Sequence, residues 1–394
     1  MNNVNGVIVG IDIQDKITQA AIWDEQTEMV IHVTGPENEA AFLNPFEMPG
    51  WGQSCNIEAA CEFIASIIEC ASKCAQGRKA GLICITIADY EIKKLNFISE
   101  VMKRLQFNSE QWSVISHEES FAFYAYSQKK GLYSAGVMLL DYSNDNIASY
   151  ICMKANLNGC DVIMENRYFS DAIQYDEEKD SYSNLCVNQH VITEWLKGLL
   201  SRYNVSSVFL TGSRFEMEKF PDEFTRFLCH SRKVFAGQNL YVKGAVLGAC
   251  TKIKQILPPD TILACKNRIT TGIEMDICER GNDMRLKIVR PGTNWYSVKK
   301  QLFFIIDDVR YINFYLRPVD TNKEYIEKII QLPIYIPELS AKDIQNYLLL
   351  LVAQSYLEQE SFSCLIAKIF EEKIIISGDV ITLEEINKLI NELK

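Results

Sequence analysis

The sequence predicts an α/β fold in which one unit occurs twice, followed by a mainly β domain and a short C-terminal helix. Three observations predict this fold. An order of strand pair, helix, strand and helix fills the first part of the chain and is then repeated. Two adjacent prolines, Pro258 and Pro259, end the pattern because proline cannot continue a helix. Beyond them the apolar runs are short and separated by turn residues, which is typical of strands.

The first copy of the unit begins with two apolar runs, 7–13 and 19–23, which indicate paired strands. Apolar residues at helical spacing from Ile57 to Ala71 predict a helix over 57–75. The remaining elements of this copy are expected as a strand at 82–87, a helix at 92–105, a strand at 112–116 and a helix at 118–128.

The second copy repeats this layout. It is expected to contain a strand pair at 136–154, a helix at 187–203, a strand at 206–212 and helices near 213–230 and 240–255. In both copies an aspartate, Asp12 or Asp141, stands directly before the turn of the strand pair. Two such turns facing each other form a cleft whose backbone amides point at an anion, while the aspartates hold a metal ion through water. The sequence therefore predicts a phosphate or metal site at the strand ends.

The C-terminal part is divided by composition. Residues 1–255 form the repeated domain, 256–265 a linker, 266–380 the β domain and 381–394 the C-terminal helix. Thr382 and Glu385 have the spacing of a capping box at the start of that helix. Within the β domain we expect a hairpin over 302–316, which turns at Asp307 and Asp308, and strands at 348–357 and 363–370.

Composition excludes several classes of function. The net charge is −11 and Lys and Arg are not clustered, which excludes nucleic acid as the main partner. No apolar run is long enough to cross a membrane and no leader is visible, so we expect no membrane partner and a cytoplasmic location. The 13 cysteines contain no C-x-x-C pair, which argues against zinc and favours buried thiols. The four histidines are expected on the surface or as satisfied core residues.

Six stretches, in order along the chain, resemble motifs of the nucleotide-binding domain of the heat-shock 70 kDa chaperones, which belong to the actin, hexokinase and chaperone ATPase superfamily. These stretches are GIDIQDKIT (10–18), ITIADYEIKKLNFISEVMKRLQF (85–107), HEESFAFYAYS (117–127), DYSNDNIASY (141–150), LTGSRFEME (210–218) and YVKGAVLGAC (241–250). Residues 269–304 are similar to the start of the peptide-binding β domain of the same family. The C-terminal lid helices of the family are missing or reduced to 381–394.

The resemblance implies a duplicated actin-like (ribonuclease H-like) domain that takes ATP or ADP with magnesium, and a sandwich-like β domain that binds protein or peptide segments. It implies that Asp12 and Asp141 hold magnesium through water and that Glu118 orients the water shell of the metal. The nucleotide and metal candidates are Asp12, Lys16, Glu118, Asp141, Thr211, Gly212 and Ser213.

The sequence departs from the family at the glycines of both turns. Where the turns of the family read GTT and GGGT, this chain has Gln14, Asp15 and Lys16 in the first turn and 143–146 in the second. Asp15 and Asp145 add negative charge where phosphates would lie, which Lys16 offsets in part. The interval of 70 residues between Asp141 and Thr211 is too short for the complete base-gripping subdomain of the family. No cofactor is therefore required by this sequence.

Three hypotheses follow. The first, which we favour, is a divergent chaperone-like protein that has a degenerate ATP site, hydrolyses little or no ATP and acts as a protein- or peptide-interaction module. The second is an active magnesium-dependent ATPase switch that couples the nucleotide state to the β domain through 256–265. The third, a protein that polymerises like actin, is the weakest.

Each candidate residue also has a purely structural alternative. Asp12 and Asp141 are also explained as caps of their turns, and Glu118 as a first-turn acid favoured by the helix dipole. Ser213 is also explained as a helix N-cap, and the groove of the β domain as one that its own side chains close. The sequence leaves these alternatives open.

Overall fold

The computed structural model describes most of the first 303 residues and four shorter segments after them. The described residues are 6–14, 16–36, 39–44, 56–88, 90–143, 147–157, 160–173, 175–176, 178–265, 267–279, 281–303, 311–319, 328–333, 361–370 and 373–382. Six α-helices lie in this part of the chain. They are α1 (Ile57–Cys74), α2 (Ile92–Arg104), α3 (His117–Ser127), α4 (Ser181–Leu200), α5 (Asp222–Cys229) and α6 (Leu240–Cys250).

The strands alternate with these helices in the first part of the chain and follow one another in the last part. The strands of the first part are β1 (Val7–Ile13), β2 (Ile17–Asp24), β3 (Met29–Val33), β4 (Phe42–Leu43), β5 (Ala80–Ile87), β6 (Trp112–Ser116), β7 (Gly136–Asp141), β8 (Ile147–Leu157), β9 (Cys160–Ser170), β10 (Val205–Thr211) and β11 (Lys233–Ala236). Those of the last part are β12 (Thr261–Ala264), β13 (Thr271–Glu279), β14 (Asn282–Val289), β15 (Lys299–Phe303), β16 (Tyr311–Pro318), β17 (Lys328–Pro333), β18 (Ser361–Phe370) and β19 (Lys373–Thr382). The expected mixed α/β class is confirmed.

The chain forms two compact units. The first unit contains Met1–Lys154 and Met164–Pro259, and the second contains Ala155–Ile163 and Asp260–Lys394. The chain therefore enters the second unit twice. The domain limits expected from the sequence stay a prediction.

The first sheet of the first unit has the strand order β3-β2-β1-β5-β6, with β4 beside β2. Strand β1 is antiparallel to β2 and parallel to β5, and β5 is parallel to β6. In this register Asp12, near the end of β1, lies opposite Thr86. Every residue of β1 is buried, as expected for a central strand that is covered on both faces.

A second sheet contains strands in the order β11-β10-β7-β8-β9. Strand β7 is antiparallel to β8 and parallel to β10, and β10 is parallel to β11. Asp141, the last residue of β7, lies opposite Thr211 in β10. Both sheets therefore have an antiparallel strand pair with parallel strands on the far side of its first strand. Each places an aspartate opposite a threonine at the carboxyl ends of its parallel strands.

Helix α6 follows the second sheet in sequence but packs on β1, β2 and β5 of the first sheet and on helix α3. Two glycines permit this close approach. A Cβ atom on Gly10 would lie 2.6 Å from the Val246 side chain, and one on Gly244 would lie 1.8 Å from the Ser120 carbonyl oxygen. The first residues of α6 are thereby held at the end of the first sheet.

Several details of the first unit differ from the sequence prediction. The expected helix near 213–230 is divided into a 3₁₀ turn, Ser213–Phe215, and α5, which begins directly after Pro221. Helix α4 begins earlier than expected because Asp180 caps it by accepting a hydrogen bond from the Ser183 backbone N–H at 2.6 Å. Strand β9 was not predicted from the sequence.

The second unit contains two sheets, with strand orders β14-β13-β16-β17 and β15-β19-β18. The hairpin expected over 302–316 is wrong, because β15 pairs with β19 whereas β16 pairs with β13 and β17. Two apolar runs in succession identify strands but do not fix their partners. The expected strand at 363–370 corresponds to β18, and that at 348–357 lies outside the described residues. Strand β19 extends to Thr382, and residues 383–394 of the expected C-terminal helix are likewise outside.

Candidate functional site

Asp12 lies fully buried near the end of β1, where the sequence predicted an anion or metal site. One carboxylate oxygen, Oδ2, accepts a hydrogen bond from the Gln14 side-chain amide at 2.7 Å. The other, Oδ1, lies 2.8 Å from Nε2 of His117, which is also buried. Both oxygens of this carboxylate are thus bound by side chains of the protein.

His117 is placed there by the start of helix α3. Ser116 and Glu119 form a capping box: the Glu119 N–H donates to Ser116 Oγ at 3.2 Å, and the Ser116 N–H donates to Glu119 Oε2 at 3.0 Å. Because Ser116 is also the last residue of β6, the helix begins at the carboxyl end of the sheet. His117 and Glu118 therefore occupy its first turn, close to the end of β1.

Asp141 at the end of β7 is bound in the same manner. Its Oδ1 accepts from the Ser143 hydroxyl at 2.5 Å, and its Oδ2 accepts from the Tyr241 hydroxyl at 2.6 Å. The Tyr241 ring, in the first turn of α6, stacks on the His117 ring with centroids 3.9 Å apart and planes 10° apart. Asp12, His117, Tyr241 and Asp141 thus form a continuous chain of contacts between the two strand ends, which we call the polar bridge.

Burial dominates the electrostatics of the polar bridge. Burial raises the pKa of Asp141, while the hydrogen bonds from Ser143 and Tyr241 lower that pKa in part. Burial also raises the pKa of Tyr241 well above its usual value, and the nearby Asp141 charge acts in the same direction. Tyr241 is therefore a neutral phenol that donates a hydrogen bond to Asp141. The bridge is a set of satisfied hydrogen-bonding groups.

Glu118 has a different partner. Its carboxylate is buried and lies 3.6 Å from the Arg167 guanidinium of β9. The same guanidinium lies over the rings of Phe169, at 4.2 Å, and Tyr150, at 5.3 Å, which favours a cation at this position. Tyr150 in turn meets the Tyr241 ring edge to face, with centroids 6.5 Å apart. The Glu118 charge is thus balanced beside the polar bridge.

The candidates Thr211, Gly212 and Ser213 lie against the second turn. The backbone N–H of Tyr142 donates to the Thr211 carbonyl at 3.0 Å, and Ser213 Oγ lies 3.5 Å from the Ser143 carbonyl oxygen. Gly212 has φ +102°, and a Cβ atom there would lie 2.6 Å from the Tyr142 carbonyl oxygen and 2.7 Å from Asp141 Oδ1. This position requires glycine. Gly212, rather than Ser213, occupies the N-cap position of the 3₁₀ turn.

Lys16 is exposed, and its carbonyl oxygen accepts from the Asn44 backbone N–H at 3.0 Å. Asp15 and Asp145, which the sequence analysis placed near the phosphates, lie outside the described residues. Within the described ranges, no group of three or more His, Cys, Asp and Glu side chains is arranged to hold a metal ion. The magnesium role of Asp12 and Asp141 stays a prediction.

Sequence reasoning missed the residues that join the two aspartates. His117 was expected only as a surface or satisfied core residue. The sequence SHEE directly after a strand has the spacing of a capping box, which would place His117 in the first turn of a helix at the end of the sheet. Tyr241 and Arg167 gave no local signal, because Tyr241 lies 100 positions from Asp141. Only the packing of α6 on the first sheet brings Tyr241 to the site.

A model described as a family of unknown function (DUF5716) C-terminal matches residues 56–266, more than half of the 394-residue chain. The chain belongs to this DUF5716 family. In this DUF5716 member, a domain of unknown function (DUF8552) matches residues 268–333 and a KAP family P-loop domain matches 315–394. No curated protein matches the chain. Across the described ranges of this DUF5716 protein, no helix has the length and apolarity needed to span a membrane.

The expected membership in the heat-shock 70 kDa chaperone family is wrong. The matching models are those of DUF5716, DUF8552 and the KAP family, and no chaperone or actin-like ATPase family is among them. The resemblance depended on short stretches around strand ends and turns. Strand-aspartate-turn-strand segments satisfy general demands of an α/β sheet, so such segments do not by themselves establish descent. The expectation of a chaperone-like or heat-shock-like protein is therefore also wrong.

Proposed function

We propose that the first unit is a non-hydrolytic binding module whose two strand ends are joined by side chains instead of a nucleotide. The observation that carries this proposal is the polar bridge. All four carboxylate oxygens of Asp12 and Asp141 already have partners within hydrogen-bonding distance. A magnesium ion with its water shell would have to compete with these buried partners for the carboxylate oxygens, and unmaking buried hydrogen bonds is costly.

The internal symmetry of the two sheets supports the finer proposal that the first unit is a duplicated, actin-like fold. Each sheet has the same antiparallel pair, the same parallel neighbours and an aspartate opposite a threonine at the strand ends. In such an arrangement the facing strand ends form the interface between two halves. The polar bridge would then hold the halves in one relative position, which suits a rigid platform for other proteins.

The sequence-based expectations about partner and location are retained as proposals. The proposed partners are protein or peptide segments, which the second unit would bind. The polar bridge supports this proposal only indirectly, because it removes the need for a catalytic role of the first unit. A reducing compartment such as the cytoplasm is supported by the cysteines whose side chains the structure describes, which are free thiols.

The test of the proposal is ATP turnover by the full chain with magnesium, compared with Asp12→Asn and Asp141→Asn. We expect turnover at the background level in all three proteins, because the substitutions remove no working catalytic group. Turnover well above background in the unmodified chain, lost in either variant, would replace this proposal with an active ATPase.

Nucleotide binding is the second candidate function, and the KAP match favours it because that family is described by its P-loop domain. Residues 315–394 contain one glycine, Gly378, and no G-x-x-x-x-G-K-[ST] loop, which is the segment that cradles phosphates. Binding there would need another mode of phosphate recognition. The match is compatible with ATP or ADP and magnesium as ligands.

Photoaffinity labelling with an azido derivative of ATP, followed by peptide mapping, distinguishes the two candidates. Labelled peptides from 315–394 that are protected by unmodified ATP support the second candidate. Protected labelling around Asp12 or Asp141 contradicts the first. If the full chain takes up no protected label, the second candidate is excluded and the first is strengthened.

A further inference from the structure

A pocket of about 390 Å³ lies in the first unit, away from the residues of the polar bridge. It is lined by Lys130, which begins the 3₁₀ turn Lys130–Leu132, by Tyr133 directly after this turn, by Lys154 of β8, and by residues 255–259 at the end of the unit. The volume falls within the range of small-molecule sites, about 300–1,000 Å³. None of the sequence-predicted site residues belongs to this pocket.

The lining combines an apolar floor with positive charge. Tyr133, Ile256, Leu257 and Pro258 supply apolar surface, and each of them is partly buried. The Tyr133 ring packs against the buried ring of Tyr126, with centroids 5.0 Å apart. Proline fixes the φ angle of its backbone, so the Pro258 wall is held in shape. The apolar floor is therefore held in shape by the packing of Tyr133 and by the fixed backbone of Pro258.

The charged part of the lining consists of two lysines, Lys130 and Lys154, both of which are exposed. A third ammonium group is close by, because Lys233 Nζ donates to the Gly131 carbonyl oxygen, in the turn of Lys130, at 3.3 Å. The chain as a whole carries a net charge of −11. Positive charge is thus concentrated here, against the charge of the whole protein, and beside apolar surface.

We propose that this pocket binds a small organic anion, in which an aromatic or aliphatic body carries a carboxylate or phosphate group. The body would lie on Tyr133, Leu257 and Pro258, and the anionic group would lie between the Lys130 and Lys154 ammonium groups. Neither half of the lining selects such a ligand alone. A purely apolar molecule would gain no attraction from the ammonium groups, and a bare inorganic anion would leave the apolar floor in water.

Anilinonaphthalene sulfonate is the probe of choice, since it joins an aromatic body to one negative charge and its fluorescence rises in apolar surroundings. We expect saturable binding to the native full chain. In the double variant Lys130→Glu, Lys154→Glu the affinity should fall at least tenfold, because attraction becomes repulsion. The matched control Lys129→Glu changes an exposed lysine one position away, outside the lining, and should leave the affinity within twofold.

Competition identifies the chemistry. Phenyl phosphate and benzoate should displace the probe, and the stronger of the two names the preferred anionic group, whereas inorganic phosphate at the same concentration should not. Equal affinity in the double variant and the unmodified chain, equal competition by inorganic phosphate, or no saturable binding would each overturn the proposal. ATP binding that survives Asp12→Ala but is lost in the double variant would belong to this pocket and not to the polar bridge.

Discussion

At the level of single residues, each carboxylate at the two strand ends is satisfied by the protein itself. Asp12 is bound by Gln14 and His117, and Asp141 by Ser143 and Tyr241. A buried carboxylate without partners is costly, so these side chains stabilise the strand ends as they stand. Gln14 and Ser143, each two positions after its aspartate in the sequence, supply two of the four hydrogen bonds.

At Gly212, both the positive φ angle of the backbone and the close packing disfavour a side chain. We expect Gly212→Ala to lower the free energy of unfolding by about 3 kcal/mol, because its left-handed φ and its contact with Tyr142 both resist a side chain. Gly77→Ala is the matched control: its φ is +83° but no atom lies within 4 Å of the added Cβ, so about 1 kcal/mol is expected. Equal losses in urea unfolding of the two variants would contradict the close packing at Gly212.

The raised pKa of Asp141 predicts a pH dependence of stability. A carboxyl group whose folded pKa lies above its ordinary value of 3.8 holds a proton that the unfolded chain has released. Its contribution to stability is therefore lost as the pH rises from the ordinary pKa through the raised one. Asp141→Asn removes this loss, so the stability of the variant relative to the unmodified chain should increase between about pH 4 and about pH 7.

Urea unfolding at both pH values checks this expectation, with Asp24→Asn as the control. Hydrogen bonds from the Thr27 hydroxyl and the Gln26 backbone N–H lower the pKa of the partly exposed Asp24, so its contribution to stability is lost as the pH falls. Asp24→Asn should therefore lose relative stability as the pH rises, by a small amount. A relative stability of Asp141→Asn that is constant or falls with pH would show that burial does not control this carboxyl group.

At the level of elements, helix α6 connects features that are distant in sequence. It follows the second sheet, packs on β1 of the first sheet and on α3, and carries Tyr241. Most strands and helices of the first unit follow from apolar spacing alone, and both strand-end aspartates were found in this way. The elements on which α6 packs could not be predicted from apolar spacing, because the helix is buried around almost its whole circumference and shows no distinct apolar face.

The contact between α6 and α3 predicts a large effect of one methyl group. Gly244→Ala would place a Cβ 1.8 Å from the Ser120 carbonyl oxygen, so the helices must separate, and we expect a loss of about 3 kcal/mol. In contrast, Gly198 lies in the exposed part of α4 with no atom within 4 Å of an added Cβ. Gly198→Ala should raise the stability by about 1 kcal/mol, because alanine favours the helix. Thermal and urea unfolding measure both, and a neutral Gly244→Ala would contradict the described packing.

At the level of the whole molecule, the chain passes between its two units more often than a simple linker would require. Ala155–Ile163 belongs to the second unit, although it lies between segments of the first. The sequence showed the break at Pro258 and Pro259 because proline is a local signal. It did not show the earlier excursion, since β8 and β9 have the same strand-like character on both sides of the unit boundary.

This excursion predicts that a chain ending at Pro259 will fold poorly. Val162 and Ile163 are fully buried and belong to the second unit, so we expect removal of the rest of that unit to expose them. We expect aggregation in size-exclusion chromatography and a lower Tm than that of the full chain. Replacing both residues with serine in the truncated chain should reduce the aggregation. A truncated chain that is monomeric and melts like the full chain would show that 155–163 does not depend on the second unit.

We propose that the polar bridge takes the place of a nucleotide between the two strand ends. The most direct measurement is calorimetric titration of the full chain with ATP and magnesium, repeated with Asp12→Ala. We expect the two proteins to give the same heat of binding, whether this heat is zero or comes from a site elsewhere in the chain. Binding in the unmodified chain that Asp12→Ala abolishes would contradict it, and would show that a nucleotide displaces His117 and Tyr241 from the aspartates.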